Sequence, residues 1–366
     1  MLIYANPAEQ FKSYQSEIES AVLSVMRGNS YILGKEVSAF EKEFATYIGT
    51  NSAIGVANGT DAIEIALRAL DVGKGDEVIT VSHTAVATVT AIEAAGASAV
   101  LIDVEPDFYT LNPTQLNEVI TNKTKAVIVV HLYGQPADMD TIVSFCDKNK
   151  LFLIEDASQA HGAKYKGYRL GTLGVIGCFS CYPTKNLGAL GDAGVVTTNN
   201  QPLSLKISKL REYGWNNGVS EYPGMNSRLD ELQAAVLRIK LKYLDSDNTK
   251  RRKLAEFYTQ GLSDLPIQVP IVREGSESVF HLYVVQVENR QGLINHLKEN
   301  GILAGIHYPT PVHLQPAYKG RIKTATDMSV TEAASKKIVS LPLYPELSRK
   351  NAEKIISALR DYLVKS

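Results

Sequence analysis

Residues 126–154 contain two apolar runs, Ala126-Val-Ile-Val-Val130 and Leu151-Phe-Leu-Ile154, separated by a segment with helical spacing near residues 139–148. Continuous runs of valine, leucine and isoleucine are typical of strands that are buried on both faces of a parallel sheet. A helix that connects two such strands makes a βαβ unit. This stretch therefore predicts an α/β protein with a mostly parallel central sheet flanked by helices.

The same alternation continues on the N-terminal side of this stretch. Three more strand-like runs are Ala53-Ile-Gly-Val56, Glu77-Val-Ile-Thr-Val81 and Ala99-Val-Leu-Ile102. Helical spacing recurs at residues 60–70, 84–95 and 114–120. Because helices and strands alternate throughout this part, we expect a large α/β domain over residues 1–240.

The pattern changes after Thr198. A long helix is predicted over residues 226–262, interrupted or bent near 245–248. Mixed elements follow it, with strands predicted over 278–287 and 302–308 and helices near 330–340 and 349–364. We therefore expect a smaller C-terminal α+β domain over residues 241–366.

Polar residues collect where the predicted strands end, namely Asn58-Gly-Thr-Asp61, Ser82-His83, Asp156-Ala-Ser-Gln159 and Ser180. Ligands on parallel sheets bind at the carboxyl ends of the strands. Thr60 can cap the helix that follows the first of these segments, and the free N–H groups there favour a phosphate. An ordinary helix cap without a ligand would carry the same residues.

Lys185 lies in a glycine-rich turn, within Gly177-Cys-Phe-Ser-Cys-Tyr-Pro-Thr-Lys-Asn-Leu-Gly-Ala-Leu-Gly-Asp-Ala-Gly194. Most lysines are solvated surface charges, but a desolvated lysine loses its proton more easily. A neutral amine can form a Schiff base with an aldehyde. Asp156, at the end of a predicted strand, can pair with a pyridinium nitrogen. Together the two residues suggest a pyridoxal phosphate (PLP) site.

Composition excludes some classes of function. The 366 residues have a net charge of −1 and no basic block, which argues against nucleic acid or an anionic membrane as main partner. No apolar run has the length of a transmembrane segment or a signal peptide, so we expect a soluble cytoplasmic protein. Cys178 and Cys181 lack the second pair of a zinc site. We therefore interpret them as buried apolar residues and expect no metal.

Several motifs together resemble one family, the PLP-dependent sugar aminotransferases of the DegT/StrS type, which have the aspartate-aminotransferase-like fold (fold type I). The resemblance extends over essentially the whole chain. The motifs are Gly34-Lys-Glu-Val-Ser-Ala-Phe-Glu41, Gly55-Val-Ala-Asn-Gly-Thr-Asp61, Gly75-Asp-Glu-Val78, His131-Leu-Tyr-Gly-Gln135, Glu155-Asp-Ala-Ser-Gln-Ala-His-Gly162, Tyr182-Pro-Thr-Lys-Asn186, Asn226-Ser-Arg-Leu-Asp-Glu-Leu-Gln-Ala234 and His307-Tyr-Pro309.

This resemblance implies a role for each matching residue at the cofactor. Lys185 binds the aldehyde and later moves protons, while Asp156 pairs with the ring nitrogen and Gln159 lies beside the ring hydroxyl. The phosphate contacts are Thr60, Asp61 and Ser180. His83 stacks on the ring, although a histidine satisfied by its neighbours at a strand end would look the same.

The resemblance also implies a homodimer, because Asn226 matches a residue that reaches the phosphate of the neighbouring subunit. Two composite active sites follow from that match. Candidate sugar contacts are Tyr182, His307, Tyr308 and His313, and His313 could equally be a surface histidine. Arg228 could hold the carboxylate of an amino donor, or it could form an ion pair with Asp230 or Glu231.

The implied reaction is amino transfer from L-glutamate to a nucleotide-linked keto sugar. Residues 131–139 and 181–192 look most like members that act on carbon 3 of dTDP-3-oxo-6-deoxyhexoses. The alternatives are a carbon-4 aminotransferase, a PLP-dependent sugar dehydratase and a non-catalytic PLP-binding regulator. Relatives that dehydrate replace the lysine with histidine, so Lys185 argues against dehydration. The complete set of Lys185, Asp156 and Gln159 argues against a pure regulator.

Overall fold

The computed structural model describes residues 1–364 of the protein. Its strands are β1 Leu2–Ile3, β2 Ser52–Val56, β3 Glu77–Val81, β4 Ser98–Ile102, β5 Thr124–Val130, β6 Phe152–Asp156, β7 Lys164–Tyr165, β8 Tyr168–Arg169, β9 Ile176–Ser180, β10 Gly194–Thr198, β11 Trp215–Asn216, β12 Val219–Ser220, β13 Ser276–Glu277, β14 Tyr283–Gln286, β15 Ile302–Leu303, β16 Lys323–Thr324 and β17 Ile338–Leu341. Its α-helices are α1 Pro7–Ser13, α2 Gln15–Met26, α3 Lys35–Ile48, α4 Gly59–Ala69, α5 Val86–Ala94, α6 Leu116–Val119, α7 Met139–Asn149, α8 Gln201–Leu210, α9 Glu231–Leu262, α10 Arg290–Glu299, α11 Ser329–Lys337 and α12 Arg349–Leu363.

The central sheet has eight strands in the order β16-β4-β3-β5-β6-β9-β10-β2. Only β10 runs against its neighbours β9 and β2, and the other pairs are parallel. The α/β prediction is therefore confirmed. Val130 at the end of β5 lies opposite Asp156 at the end of β6, so the carboxyl ends of these strands are level.

Two clusters of buried apolar residues form the core. The larger cluster surrounds the central sheet, and the smaller one consists mainly of residues 255–363. Helix α9 passes through both, with Leu237 and Leu244 in the larger cluster and Tyr258 and Leu262 in the smaller. The domain boundary at residue 240 stays a prediction. Two short strands pair with strands that lie on the other side of that boundary in the sequence. They are β16, which pairs with β4, and β1, which pairs with β15.

The predicted interruption of the long helix is wrong, because α9 continues from Glu231 to Leu262. Two of the four polar residues that suggested a break, Asp247 and Asn248, are buried and bonded to other elements. Asp247 accepts a hydrogen bond from the Tyr14 hydroxyl at 2.9 Å, and Asn248 accepts one from Asn186 Nδ2 at 2.8 Å. A polar residue that finds a tertiary partner does not interrupt a helix.

The predicted strand over 278–287 is also mostly wrong, since only Tyr283–Gln286 is a strand in this segment. The preceding residues bond to a loop instead. Both the Ser278 hydroxyl and the Val279 N–H donate to the carbonyl of Gly134, and Phe280 has a positive φ of 44°. The strand predicted over 302–308 is likewise short, at Ile302–Leu303. These differences place residues 278–282 and 304–308 as irregular backbone beside the sheet.

Candidate active site

A cavity of about 550 Å³ lies at the carboxyl ends of the central strands. It brings together nine of the predicted site residues, which are Thr60, Asp61, Asp156, Gln159, Ser180, Tyr182, Lys185, His307 and Tyr308. Further lining residues that sequence reasoning missed include Tyr4, Thr84, Thr88, Asp192 and His281. The convergence expected from the strand ends therefore exists for residues 58–61, 156–159 and 180, whereas Ser82 and His83 do not line the cavity.

Lys185 is held in a tight turn after β9. Its N–H donates to the Tyr182 carbonyl at 2.8 Å. Gly188 is required by close packing, because a Cβ there would lie 2.4 Å from the Pro183 carbonyl oxygen. Burial lowers the pKa of Lys185 to about 8, partly offset by the charge of Asp156. A neutral amine is therefore accessible to Lys185 near neutral pH.

This pKa gives a testable prediction for the cofactor-free protein. At pH 7 the neutral fraction of the Lys185 side chain should be about a tenth. That fraction is roughly 300-fold larger than the neutral fraction of a lysine with a pKa near 10.5. Acetic anhydride labels neutral amines, and mass spectrometry can follow the Lys185 peptide. Since the pKa is depressed, labelling should rise with pH and level off above about pH 8, whereas labelling of the lysine in a short reference peptide, with a pKa near 10.5, should continue to rise. Parallel profiles for the two lysines would contradict this prediction.

Asp156 ends β6 and is only 5% exposed. Its Oδ2 accepts a hydrogen bond from Thr88 Oγ1 at 2.8 Å, and its Oδ1 accepts one from the Ser158 N–H at 3.2 Å. Thr84, just before α5, places its Oγ1 3.1 Å from Thr88 Oγ1. Two threonines four residues apart, one before and one within α5, were the available signal for this support of Asp156, since buried hydroxyls need partners.

The N-terminus of α4 forms another wall of the cavity. Asn58 caps this helix by accepting the Asp61 N–H at 2.9 Å, so the predicted cap by Thr60 is wrong. Gly59 packs directly on β9, where a Cβ would lie 2.5 Å from Ser180 Cβ. Thr60 and Ser180 both place hydroxyl groups at this wall. Helix N-termini of this kind attract anions, in particular phosphate groups.

Gln159 links the cavity floor to the C-terminal part of the chain. Its Oε1 accepts the Tyr133 N–H at 2.7 Å, and its Nε2 donates to the Tyr308 hydroxyl at 3.1 Å. The Tyr133 hydroxyl in turn donates to the His307 carbonyl. These bonds fix Gln159 and Tyr308 relative to each other, and Tyr133 is a supporting residue that was not predicted.

Four predicted site residues do not line this cavity. His83 is buried, with Nε2 2.8 Å from the Tyr133 hydroxyl, and burial lowers its pKa to about 4. His313 Nδ1 lies 2.7 Å from the Ser82 hydroxyl and its Nε2 lies 3.2 Å from Glu332. The other two are Asn226 and Arg228, which lie before α9.

The alternative ion pairs predicted for Arg228 are wrong. Its guanidinium lies 3.8 Å from Glu212, and its Nε donates to Asn226 Oδ1 at 3.0 Å. Glu231 is engaged elsewhere, where its carboxylate accepts N–H groups at the start of α3, from Gly34, Glu36 and Val37. The side chains of Asn226 and Arg228 thus contact each other on the surface of the single chain.

Two further properties concern the described part of the chain. Within residues 1–364, no helix combines the length and the apolar character needed to cross a membrane. Those residues also contain no group of three or more His, Cys, Asp or Glu side chains that could hold a metal ion. The three cysteines are free and buried.

The statistical model of the DegT/DnrJ/EryC1/StrS aminotransferase family matches residues 12–360. The chain belongs to this family. It is similar to the dTDP-3-amino-3,4,6-trideoxy-alpha-D-glucose transaminase of Streptomyces venezuelae, with 43% identity over 354 residues that cover 96% of this chain and 93% of the relative. It is also similar to the dTDP-3-amino-3,6-dideoxy-alpha-D-galactopyranose transaminase of Aneurinibacillus thermoaerophilus, with 45% identity over 350 residues that cover 95% and 96% of the two chains.

Solved structures agree with this assignment to the aminotransferase family. The crystal structure of S. venezuelae DesV in complex with a ketimine intermediate has a TM-score of 0.96 at 42% identity, and the match covers 99% of this chain and 98% of that one. Other solved members carry the cofactor as pyridoxal or pyridoxamine phosphate. The predicted family and fold type are therefore confirmed.

The cavity of this aminotransferase fits pyridoxal phosphate by the chemistry of its donors. Lys185 supplies an amine that burial makes easier to deprotonate. Asp156 is a buried carboxylate with two hydrogen-bond donors that already orient it. The α4 N-terminus with Thr60 and Ser180 supplies the positive dipole and the hydroxyl donors that a phosphate requires. The amine of Lys185, the carboxylate of Asp156 and the phosphate-binding helix N-terminus therefore all line one cavity.

Proposed function

We propose that this protein transfers the amino group of L-glutamate to carbon 3 of a dTDP-linked 3-oxo-6-deoxyhexose, with pyridoxal phosphate as cofactor. The observation that carries the proposal is the full-length similarity, at 43% and 45% identity, to two transaminases named for different sugars. Those two names share the dTDP carrier and an amino group at carbon 3. We therefore extend these two features, the dTDP carrier and the amino group at carbon 3, to this chain.

The proposed roles follow from the site geometry. When bound, pyridoxal phosphate supplies an aldehyde for amines and an electron-withdrawing ring. Asp156 would hold a proton at the ring nitrogen, because its two donors keep it in place as an acceptor. Lys185 would hold the aldehyde and then move a proton at its Nζ. Thr60 and Ser180 would bind the phosphate, and Gln159 would orient the ring hydroxyl.

The sugar is proposed to bind at the open side of the cavity. Tyr182 lines the cavity and is 51% exposed, so its ring is available to a large substrate. His307 and Tyr308 lie on the same cavity wall as each other and are fixed by Tyr133 and Gln159. Aromatic and hydrogen-bonding groups of this kind suit the apolar faces and hydroxyls of a deoxysugar.

Separate half-reactions test this function. Glutamate alone should convert the bound cofactor, with a change in its absorbance near 400 nm and release of 2-oxoglutarate. A dTDP-3-oxo-6-deoxyhexose should then reverse that change and yield a 3-amino sugar, detected by mass spectrometry. The matched control is dTDP-4-oxo-6-deoxyglucose, on which we expect turnover to be at least tenfold slower.

Other outcomes would favour the rival functions. Faster amination of the 4-oxo sugar would indicate a carbon-4 aminotransferase. A dehydrated product without release of 2-oxoglutarate would indicate a dehydratase. Cofactor binding with neither half-reaction would indicate a regulator. The cytoplasmic location is also a prediction, which fractionation of the source cells can test.

We further propose a homodimer in which Asn226 serves the cofactor of the partner subunit. Asn226 is exposed and lies outside the cavity of its own chain, although the family resemblance assigns it to a phosphate. The Asn226→Asp change would put a negative charge beside that phosphate, which is unfavourable in a site of low dielectric.

Mixed dimers of inactive chains test this arrangement. Lys185→Ala combined with Asn226→Asp should give heterodimers with one intact site and up to about half of wild-type activity, since one of two sites is whole. The control is wild type combined with the double variant on one chain, whose heterodimer should be inactive. If Asn226 instead serves its own subunit, the heterodimer of the two single variants should be inactive. The heterodimer of wild type with the double variant should then keep one intact site. A fully active Asn226→Asp homodimer would remove Asn226 from the site.

A further inference from the structure

Tyr4 lines the cavity, although it lies near the N-terminus and outside the central sheet. Strand β1, which ends just before Tyr4, pairs in parallel with β15. The Leu2 N–H donates to the Gly301 carbonyl at 2.8 Å, and the Tyr4 carbonyl accepts the Leu343 N–H at 3.2 Å. These backbone bonds fix the point from which the Tyr4 side chain enters the cavity.

The parallel pairing brings Tyr4 against His307. Paired parallel strands run in the same direction, so the residues that follow β1 meet the residues that follow β15. The ring centroids of Tyr4 and His307 are 4.9 Å apart, with an angle of 60° between the ring planes. Gly305 leaves room for this contact, because a Cβ there would lie 2.7 Å from His307 Cε1 and 3.3 Å from Tyr4 Cδ1. The Tyr4 ring is therefore held in a defined place.

The Tyr4 hydroxyl has no hydrogen-bond partner among residues 1–364. Burial raises the pKa of Tyr308 to about 12, and Asp156 and Tyr4 add to this increase, so the two phenols lie near each other. The Tyr308 hydroxyl accepts a hydrogen bond from Gln159 Nε2 at 3.1 Å. Its own proton has no acceptor in the part of the chain that the structure describes. Two phenolic hydroxyls at the cavity thus keep unused hydrogen-bonding capacity.

Tyr4, His307 and Tyr308 together form an aromatic wall of the cavity. This wall carries no positive charge near neutral pH, because burial lowers the pKa of its one histidine to about 4 and the charge of Lys185 lowers it further. Uncharged rings with free polar atoms suit a sugar, whose C–H groups pack on aromatic faces and whose hydroxyls donate and accept. A carboxylate of glutamate would be bound better by a cation.

The aromatic wall lies beside the residues proposed to act on the reacting group. Gln159 is bonded to Tyr308, and the charge of Lys185 acts on His307. Lys185 is proposed to move a proton at the sugar carbon that receives the amino group. The substituents of the two neighbouring carbons are therefore the parts of the sugar ring nearest to that step, and they are the candidates for contact with the wall.

We propose that the Tyr4 hydroxyl binds a hydroxyl group of the sugar, on a carbon next to the one that receives the amino group. Tyr4 is then a substrate-contacting residue that distinguishes sugars with this hydroxyl from deoxy sugars that lack it. A site built to bind a hydroxyl group discriminates against the deoxy analogue, because its own polar group is left unpaired. The inference rests on the proposed function for the position of the amino group.

Tyr4→Phe keeps the ring against His307 and removes only the hydroxyl. With a dTDP-3-oxo-6-deoxyhexose that has hydroxyls at carbons 2 and 4, we expect KM for the sugar to rise about five- to tenfold, since one hydrogen bond is lost. The kcat and the glutamate half-reaction should stay within about twofold. Circular dichroism verifies that the variant is folded.

The 2-deoxy and 4-deoxy analogues of that sugar locate the contact. The analogue that lacks the bound hydroxyl should give the same KM with wild type and Tyr4→Phe, because neither pair can form the hydrogen bond. The other analogue should keep the five- to tenfold difference, as roughly the value of one hydrogen bond. Tyr4→Leu, which removes the ring as well, should raise KM for the hydroxylated sugar at least as much as Tyr4→Phe.

Tyr168→Phe is the matched control. The Tyr168 hydroxyl also lacks a hydrogen-bond partner among the described residues, but Tyr168 belongs to β8, is 66% exposed and does not line the cavity. Removal of this hydroxyl should leave both half-reactions unchanged. An effect as large as that of Tyr4→Phe would count against a specific contact of Tyr4 with the sugar.

Three further results would overturn the inference. One is an unchanged KM for every sugar in folded Tyr4→Phe. Another is the same rise in KM with the hydroxylated sugar and with both deoxy analogues, which would mean that the Tyr4 hydroxyl acts on the protein. The last is an equal loss in the glutamate half-reaction. If wild type aminates no 3-oxo sugar, the proposed function fails, and the same comparison on the sugar that is used then decides the role of Tyr4.

Discussion

Lys185→Ala is expected to reduce steady-state amino transfer at least about 10³-fold while the protein stays folded. Lys185 is proposed both to bind the cofactor aldehyde and to move a proton, and proton transfer alone contributes about 10²- to 10⁴-fold to enzymatic rates. The described chain has no second lysine in the cavity that could replace it. Turnover should be measured with glutamate and the preferred oxo-sugar on protein loaded with cofactor. Substantial turnover of that loaded variant would contradict the role of Lys185.

Lys240 offers a matched control for this experiment. It is also buried, and burial lowers its pKa to about 8. Its ammonium donates to the Gly188 carbonyl at 2.7 Å and to Gln10 at 3.1 Å, and it does not line the cavity. Lys240→Gln should therefore lower the melting temperature and leave activity per folded molecule within a few-fold. A loss as large as that of Lys185→Ala would mean that burial of a lysine, not its place in the cavity, explains the effect.

Asp156→Asn is expected to keep cofactor binding and to lose about 10³-fold in turnover. A neutral amide cannot hold the proton at the ring nitrogen, and a loss of several kcal/mol in transition-state stabilisation corresponds to this factor. The measurements are the cofactor content from absorbance and kcat with saturating glutamate and sugar. Thr88→Val, which removes one of the two donors to Asp156, should have an intermediate effect. A loss below about tenfold in Asp156→Asn, roughly 1.4 kcal/mol, would exclude Asp156 as the ring partner.

The sequence predicted those parts of the fold that depend on continuous apolar runs. The bounds of strands β3, β5 and β6 were predicted to within a residue or two, because these strands are buried on both faces. Asp156 and Ser180 were then expected at one cavity because each stands at the carboxyl end of a strand, and both line that cavity. Lys185 followed from the glycine-rich turn. In these cases the local pattern and the tertiary environment favour the same structure, which makes prediction from sequence possible.

The parts that were missed depend on partners far away in the chain. Nothing near Asn248 indicates that Asn186 will bind it, so the polar stretch inside α9 suggested an interruption that does not exist. His281 was predicted within a strand, and its bond to Asn186 is visible only once Ser278 and Val279 are seen to bond to Gly134. Tyr4 reaches the cavity from the N-terminus without any local signal. Side-chain pairs of this kind are determined by tertiary packing, which local sequence propensities do not predict.

The two residues of β16 have a consequence for how the chain can be divided. Lys323 and Thr324 cover the outer edge of β4, where they lie opposite Val100 and Leu101. Without them that edge would present unpaired N–H and C=O groups beside apolar side chains, a surface on which strands of other molecules can pair. A polypeptide that ended near residue 240 would carry the cofactor lysine and Asp156, yet it would be prone to aggregate through this open edge. Residues from the far end of the sequence thus protect the large sheet from self-association.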